Sequence, residues 1–274
     1  VTKPDLVPSI AAGECHVLRE GLFRGRSALI TGAGSGIGRG IALRLVSLGM
    51  HVFGTGRRTE KLEETARLAE GSLGRFAFKH CNVRDPEAAE SLVREVGEKH
   101  GIDLLVNNAG GQFFASAIGI SKKGWDAVID LNLTAIFTIT KHAYPYLKDR
   151  RGSVISISLS GVERGSIGLA HSVAARAGVL GLTRTLALEW AKDGIRLNCI
   201  GPGTVVTEGL AGEAARPVLD RLIVATPMGR PTSIEEVAEL IAFMASPAGA
   251  LMTGQLIQID GAAHLGPGLH MLME

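Results

Sequence analysis

Thr31-Gly32-Ala33-Gly34-Ser35-Gly36-Ile37-Gly38 follows the apolar run 27–30 and precedes the helix-like stretch 39–48. Glycines at such a junction let the backbone turn tightly and come close to a phosphate, and the free N–H groups at the positive end of the following helix attract its charge. The pattern therefore reads as a dinucleotide cradle centred on Gly32, Ser35, Gly36 and Ile37, against the alternative of a plain structural turn. A second chemical feature is the turn after residues 51–56, where Arg57 and Arg58 stand with no carboxylate. In dinucleotide folds an acid there holds the ribose hydroxyls, whereas a cation accommodates a 2′-phosphate. Paired guanidinium hydrogen bonds suit that phosphate, so the turn favours NADPH (NADP) over NADH, with a merely solvated basic turn as the alternative. His171 adds an imidazole, a candidate proton donor, at a helix start where capping or packing is the competing role.

These groups need a frame, and the chain supplies alternating elements. Strand-like runs at 28–31, 51–55, 76–81, 104–107, 153–158, 196–200 and 255–259 are separated by helical stretches at 40–48, 61–70, 86–100, 123–133, 136–148, 172–192 and 234–245. Such alternation requires helices on both faces of a parallel sheet. The expectation is an α/β fold, a single-domain Rossmann-type doubly wound sheet of seven strands, with the ligand beyond their carboxyl ends. Residues 1–25 read as a surface arm, 26–262 as the dinucleotide-binding domain and 263–274 as a tail that is loose or makes a subunit contact.

Bulk properties narrow the class. Of 274 residues, 46% are hydrophobic and 20% charged, which is enough for one packed core and too little charge for a disordered chain. A formal charge of +2, with scattered basic residues, argues against nucleic acid as a partner. Cys15, Cys81 and Cys199 are isolated thiols without metal-ligand spacing, so no metal site or disulfide framework is expected and a reducing cytoplasm is. No apolar run is long enough to span a membrane, and the expectation is a soluble, unprocessed chain.

Several phrases resemble the short-chain dehydrogenase/reductase family over residues 26–262: the glycine turn, Cys81-Asn82-Val83, Asn107-Asn108-Ala109-Gly110, Leu131-Asn132-Leu133, Gly201-Pro202-Gly203, and Thr253-Gly254-Gln255 ahead of Asp260-Gly261. The resemblance implies adenine contact at Asn82 and Val83 and cofactor packing by Asn108, Ala109 and Gly110. It also implies a carboxamide grip by Pro202, Gly203 and Val205, and a phosphate contact by Thr207. Carbonyl-reducing members use a serine, a tyrosine and a lysine four residues after the tyrosine. Here the matching helix reads His171-Ser172-Val173-Ala174-Ala175-Arg176, which sets Ser172 at the tyrosine position and Arg176 at the lysine position. A serine hydroxyl is too weak an acid to replace a phenol whose pKa must fall from near 10. Arg176 keeps its charge and remains a ribose donor.

This departure is similar to the peroxisomal-type trans-2-enoyl-CoA reductases, and also to the 2,4-dienoyl-CoA reductases, which keep a lysine at that position. The implied reaction is reduction of the C=C bond of an α,β-unsaturated acyl-CoA, linear, branched or cyclic. Ser172 donates to the enolate oxygen, Arg176 positions the ribose, and water or a relay through Asn132 delivers the α proton. Ser158 or Ser160 faces the pocket, with Ser158 ahead, and Gln112, Phe113 and His171 border the acyl site. The alternatives are a carbonyl or alcohol oxidoreductase and a protein that binds NADPH without catalysis. Family members are usually tetramers, so a homo-oligomer is implied as well.

Overall fold

The structure is a computed structural model that describes residues 18–207 and 216–266. Seven strands form one parallel sheet: β1 (Ser27–Thr31), β2 (His51–Gly56), β3 (Arg75–His80), β4 (Leu104–Asn107), β5 (Ser153–Ile157), β6 (Arg196–Pro202) and β7 (Leu256–Ile259). Their order in space is β3-β2-β1-β4-β5-β6-β7, so the winding direction reverses between β1 and β4. That reversal opens a crevice at the carboxyl ends of the strands. The expected fold class is the observed one.

The strands β1, β4 and β5 are apolar throughout or nearly so because both of their faces are covered. On β1, Ala28 and Ile30 join one core cluster while Leu29 joins the other. The first cluster packs under α1 (Gly36–Ser47), α2 (Thr59–Leu68, through Leu62) and α8 (Ile234–Ala245). The second packs under α3 (Pro86–His100), α5 (Ala135–Arg150) and the C-terminal part of α6 (Ala170–Trp190). Local signals fix the ends of these helices. Asp85 caps α3 by accepting from the N–H groups of Glu87 and Ala88, with Pro86 at the first helical position, and Ser233 and Glu236 form a capping box on α8.

Several details differ from the sequence expectation. The run at 123–133 is α4 (Lys122–Ile129) followed by a π-turn at Asp130–Thr134 that leads straight into α5. Helix α7 (Arg216–Val224) was not anticipated, and α6 starts at Ala170, two residues before Ser172. In the presumed surface arm, Phe23 is buried in the first core cluster and its N–H donates to Leu48 O, because an aromatic ring gains more from that burial than from water. Residues 1–17 of the arm, with Cys15, and 267–274 of the tail lie outside the described residues. The described part of the tail makes one 3-10 turn, Ala263–Leu265, whose His264 bonds to the buried Asp260 carboxylate.

Candidate active site

At the reversal point lies a cavity of about 590 Å³. Gly32, Ser35, Gly36, Ile37, Arg57, Arg58, Asn82, Val83, Asn108, Ala109, Gly110 and Thr207 all line it, as the sequence motifs require. Gly32 and Gly36 have φ of +70° and +52°, conformations open to glycine at no steric cost. Gly38 is held by space instead: a Cβ there would sit 2.2 Å from Gly32 O and 2.4 Å from Asn108 Nδ2. Asn108 explains that crowding. Its amide donates to Thr31 O at 2.9 Å and Gly32 O at 3.2 Å, while its own N–H donates to Thr31 Oγ1 at 3.0 Å, so it ties the glycine turn to the end of β4. A turn whose glycines bring backbone to the cavity fits the pyrophosphate of a dinucleotide.

Arg58 is exposed and its Nη2 donates to Ser35 Oγ at 3.1 Å, bringing a guanidinium to the lip of the glycine turn. Lys61 and Leu131 line the same cavity. Sequence reasoning gave Leu131 only as part of a family phrase and passed over Lys61, whose position one turn into α2 from Arg58 was the available signal for a further cation. Cys81 is also in the lining, and burial pushes its thiol up from the ordinary value, which keeps it neutral.

A second group of predicted residues converges beyond Gly110. The π-turn projects the buried Asn132 toward the loop after β4, where its Nδ2 donates to Gly111 O at 2.7 Å and its Oδ1 accepts from Gly111 N at 3.1 Å. Both ends of the carboxamide are therefore engaged on backbone, and Asn132 acts as a brace for the 110–112 segment. Helix α6 supplies the rest. Ser172 is fully buried, its hydroxyl donates to Gln112 Oε1 at 2.6 Å, and Arg176 Nε approaches the same hydroxyl oxygen at 3.4 Å. Arg176 Nη1 donates to Ile157 O at 2.7 Å and Ser158 O at 3.0 Å, which anchors the guanidinium to the end of β5. A Cβ on Gly110 would stand 3.1 Å from Arg176 Nη2, so that third nitrogen faces the cofactor loop. Burial pushes the guanidinium down to about 10, still charged at neutral pH.

Ser158 and Ser160 differ in their partners, and neither is among the residues that line the cavity. Ser160 donates a short hydrogen bond to Asp260, whereas the Ser158 hydroxyl is buried without a partner at the carboxyl end of β5. His171 is also buried. Its Nδ1 accepts from Ser172 N at 2.9 Å, its Nε2 has no partner, and its ring meets Phe113 edge-on at 4.4 Å between centroids. These contacts describe a ring that props the helix start and Phe113. Pro202, Gly203 and Val205 lie outside the lining of the large cavity, at the end of β6 beside β7: Gly203 N donates to Ile259 O, and Val205 pairs with Thr232.

Neither tyrosine is in this region. Tyr144 and Lys148 have the spacing of the family's tyrosine and lysine, yet they sit on the part of α5 that descends toward the amino ends of the strands. Tyr144 OH donates to Asp193 Oδ2 at 2.7 Å and its ring packs on Trp190 at 4.8 Å, while Lys148 pairs with the same carboxylate at 2.9 Å. Tyr146 packs against Gly97 of α3.

A profile described as enoyl-(acyl carrier protein) reductase matches residues 32–264. The chain belongs to the short-chain dehydrogenase/reductase family. It is 36% identical over 248 residues, 88% of this chain and 98% of the relative, to a protein of Bacillus subtilis (strain 168) named probable 2,4-dienoyl-CoA reductase. It is also 38% identical over 244 residues, 87% and 98% of the two chains, to 3-oxoacyl-[acyl-carrier-protein] reductase FabG of Thermotoga maritima. Among solved structures, the citronellol catabolism dehydrogenase AtuB of Pseudomonas aeruginosa PAO1 superposes with a TM-score of 0.80 at 37% identity, covering 90% of this chain and 98% of that one. An actinorhodin polyketide ketoreductase variant crystallised with NADPH gives 0.82 at 32% identity, covering 87% and 97%. The protein is thus a nicotinamide-dependent short-chain oxidoreductase. Among the described residues no helix is long and apolar enough to cross a membrane, and no cluster of metal-ligating side chains occurs.

Proposed function

We propose that this short-chain reductase saturates the C=C bond of an α,β-unsaturated acyl-CoA with NADPH. The observation that carries the reading is the Ser172 hydroxyl, buried and 2.6 Å from the Gln112 carboxamide oxygen, at the position that the family resemblance assigns to the phenol of carbonyl-reducing members. Gln112 Oε1 occupies the seat of a carbonyl-type acceptor, and Gln112 is exposed, so a thioester oxygen can take its place.

Bound NADPH supplies the hydride that adds to the β carbon. The electron pair displaced from the C=C bond moves onto the thioester oxygen as an enolate, and a solvent proton then adds to the α carbon. Ser172 donates its hydrogen bond to that oxygen, a task that asks for a positioned donor and no strong acid. Arg176 keeps the serine oriented through Nε and holds a fixed positive charge beside the developing anion. Asn132 braces the Gly111–Gln112 backbone that forms the opposite wall. Arg57, Arg58 and Ser35 bind the 2′-phosphate; Arg58 at the lip of the glycine turn supports NADPH over NADH. Phe113, half-covered by His171, offers an apolar border for the acyl chain. A cytoplasmic tetramer is part of the same reading, and the exposed Phe137 on α5 and Leu188 on α6 support its subunit contacts.

The test is loss of reduced-nicotinamide absorbance when purified protein is mixed with NADPH and crotonyl-CoA, longer linear and cyclic enoyl-CoAs, dienoyl-CoAs, and 3-oxoacyl thioesters. Consumption with an enoyl or dienoyl thioester is expected. The 38% identity to a 3-oxoacyl reductase supports a second reading, and turnover of 3-oxoacyl thioesters alone would establish it in place of the first.

A further inference from the structure

The amino ends of the strands, opposite the dinucleotide cavity, carry a separate hollow of about 350 Å³. Its lining includes Arg24, Arg26, His51, Arg75 and His100 and contains no acidic residue. Topology gathers these groups: Ser27, His51 and Arg75 are register partners at the starts of β1, β2 and β3, and Arg26 directly precedes Ser27. None of the three arginines has a carboxylate partner among the described residues. Asp103, beside Ser27, is occupied by the Ser27 N–H at 2.8 Å and its hydroxyl at 3.3 Å.

The imidazoles are held rigidly. His100 stacks on Phe53 at 4.4 Å, and His51 lies 4.4 Å from Phe53 and 5.1 Å, edge-on, from His100. Burial, with His100 and Arg75 adding to it, keeps the His51 imidazole below its ordinary value. More positive charge stands around the rim, since Arg150 donates to His100 O at 3.2 Å. Like charges gathered without a counter-charge repel one another, and a bound anion removes that cost.

We propose that this hollow is a binding site for a small molecule bearing a diphosphate group, gripped by the guanidinium forks of Arg24, Arg26 and Arg75. Arginine forks match phosphate oxygens bidentately, and three fixed positive charges are better balanced by a multiply charged diphosphate than by a single carboxylate. The volume is at the small end of ligand pockets, which run from roughly 300 Å³ upward, and its concavity suits a discrete ligand better than a flat surface. Strands of four to seven residues, rising about 3.3 Å per residue, separate it from the dinucleotide cradle by roughly 15–20 Å, so the two can be filled together.

The decisive measurement is a pyrophosphate titration at low salt, followed through the imidazole NMR signals of His51 and His100, with the cradle saturated by NADP. Both signals are expected to shift and saturate. Combining Arg26→Gln with Arg75→Gln is expected to weaken binding about tenfold or more while melting temperature and NADP affinity hold, since both arginines are exposed. ADP titrated in parallel separates the sources: tighter binding than pyrophosphate identifies a nucleotide ester, and equal binding identifies the diphosphate alone. Shifts that fail to saturate, that sodium chloride reproduces at matched ionic strength, or that persist unweakened in the double variant would overturn the proposal.

Discussion

The two halves of the crevice are built from different materials. The dinucleotide half is backbone: glycines at positive φ, helix N–H groups, and Asn108 lashing the turn to β4. The reaction half is side chain: Arg176, Ser172, Gln112 and Asn132 in one hydrogen-bonded run from β5 across α6 to the loop after β4. A backbone site depends on what is absent, namely Cβ atoms, and tolerates little change. A side-chain site can change its chemistry by one substitution while the frame stands, which is how a fold shared with ketone reductases can turn to another substrate.

The largest effect should come from striking the backbone half. Gly38→Ala puts a methyl carbon 2.2 Å from a main-chain carbonyl oxygen that has nowhere to go. Overpacking of this kind costs about 1–3 kcal/mol and must deform the turn itself. We expect a lower melting temperature and a loss of NADPH affinity of at least about a hundredfold, read by melting and by fluorescence titration. Wild-type affinity in this variant would show that the turn is not the cradle.

Ser172→Ala strikes the other half. Removing one preorganised donor to a developing oxyanion costs on the order of a hundredfold in kcat, and the cofactor dissociation constant should be unmoved because the cradle is elsewhere. Steady-state kinetics with crotonyl-CoA beside a cofactor titration checks both. An equal loss in the two quantities would mean that the halves are not separable as described.

The same division decided what could be read from the chain. Glycine spacing, the Arg57-Arg58 turn and the strand–helix alternation are local, and they carried the fold and the glycine and arginine part of the cavity lining, while Asn82, Val83, Asn108, Ala109, Gly110 and Thr207 were implied by the family resemblance. The brace role of Asn132 was hidden because it depends on a π-turn, and a widened turn inside an otherwise continuous helix leaves no mark on apolar periodicity. Gln112 was legible as a neighbour of the acyl site, but its bond to Ser172 spans 60 positions and exists only once α6 is docked. The bond from Ser160 to Asp260, 100 residues further on, is equally out of reach of local pattern.

A smaller effect is expected at Arg58, which is exposed and screened by solvent. Arg58→Ala should raise the KM for NADPH about tenfold and leave that for NADH unchanged, as losing one phosphate-directed fork would. Kinetics with the two coenzymes separates this from general damage. Equal changes for both would remove Arg58 from 2′-phosphate recognition.

The smallest effect is also the most discriminating. If the hydroxyl of Ser172 has replaced a phenol in function, neither tyrosine contributes to chemistry, despite the family-like spacing of Tyr144 and Lys148. Tyr144 holds Asp193 at 2.7 Å, and a hydrogen bond from Lys148 and then one from Tyr144 itself keep that carboxyl below the ordinary range. This is a clamp between the end of α5 and the turn after α6. Tyr144→Phe should therefore lower the melting temperature by a few degrees at most and leave kcat for the enoyl thioester within about twofold, since it removes one partly solvated hydrogen bond and retains the ring on Trp190. A large fall in kcat with the melting temperature intact would instead require the phenol to reach the substrate, and the two halves of the crevice would have to be drawn again around it.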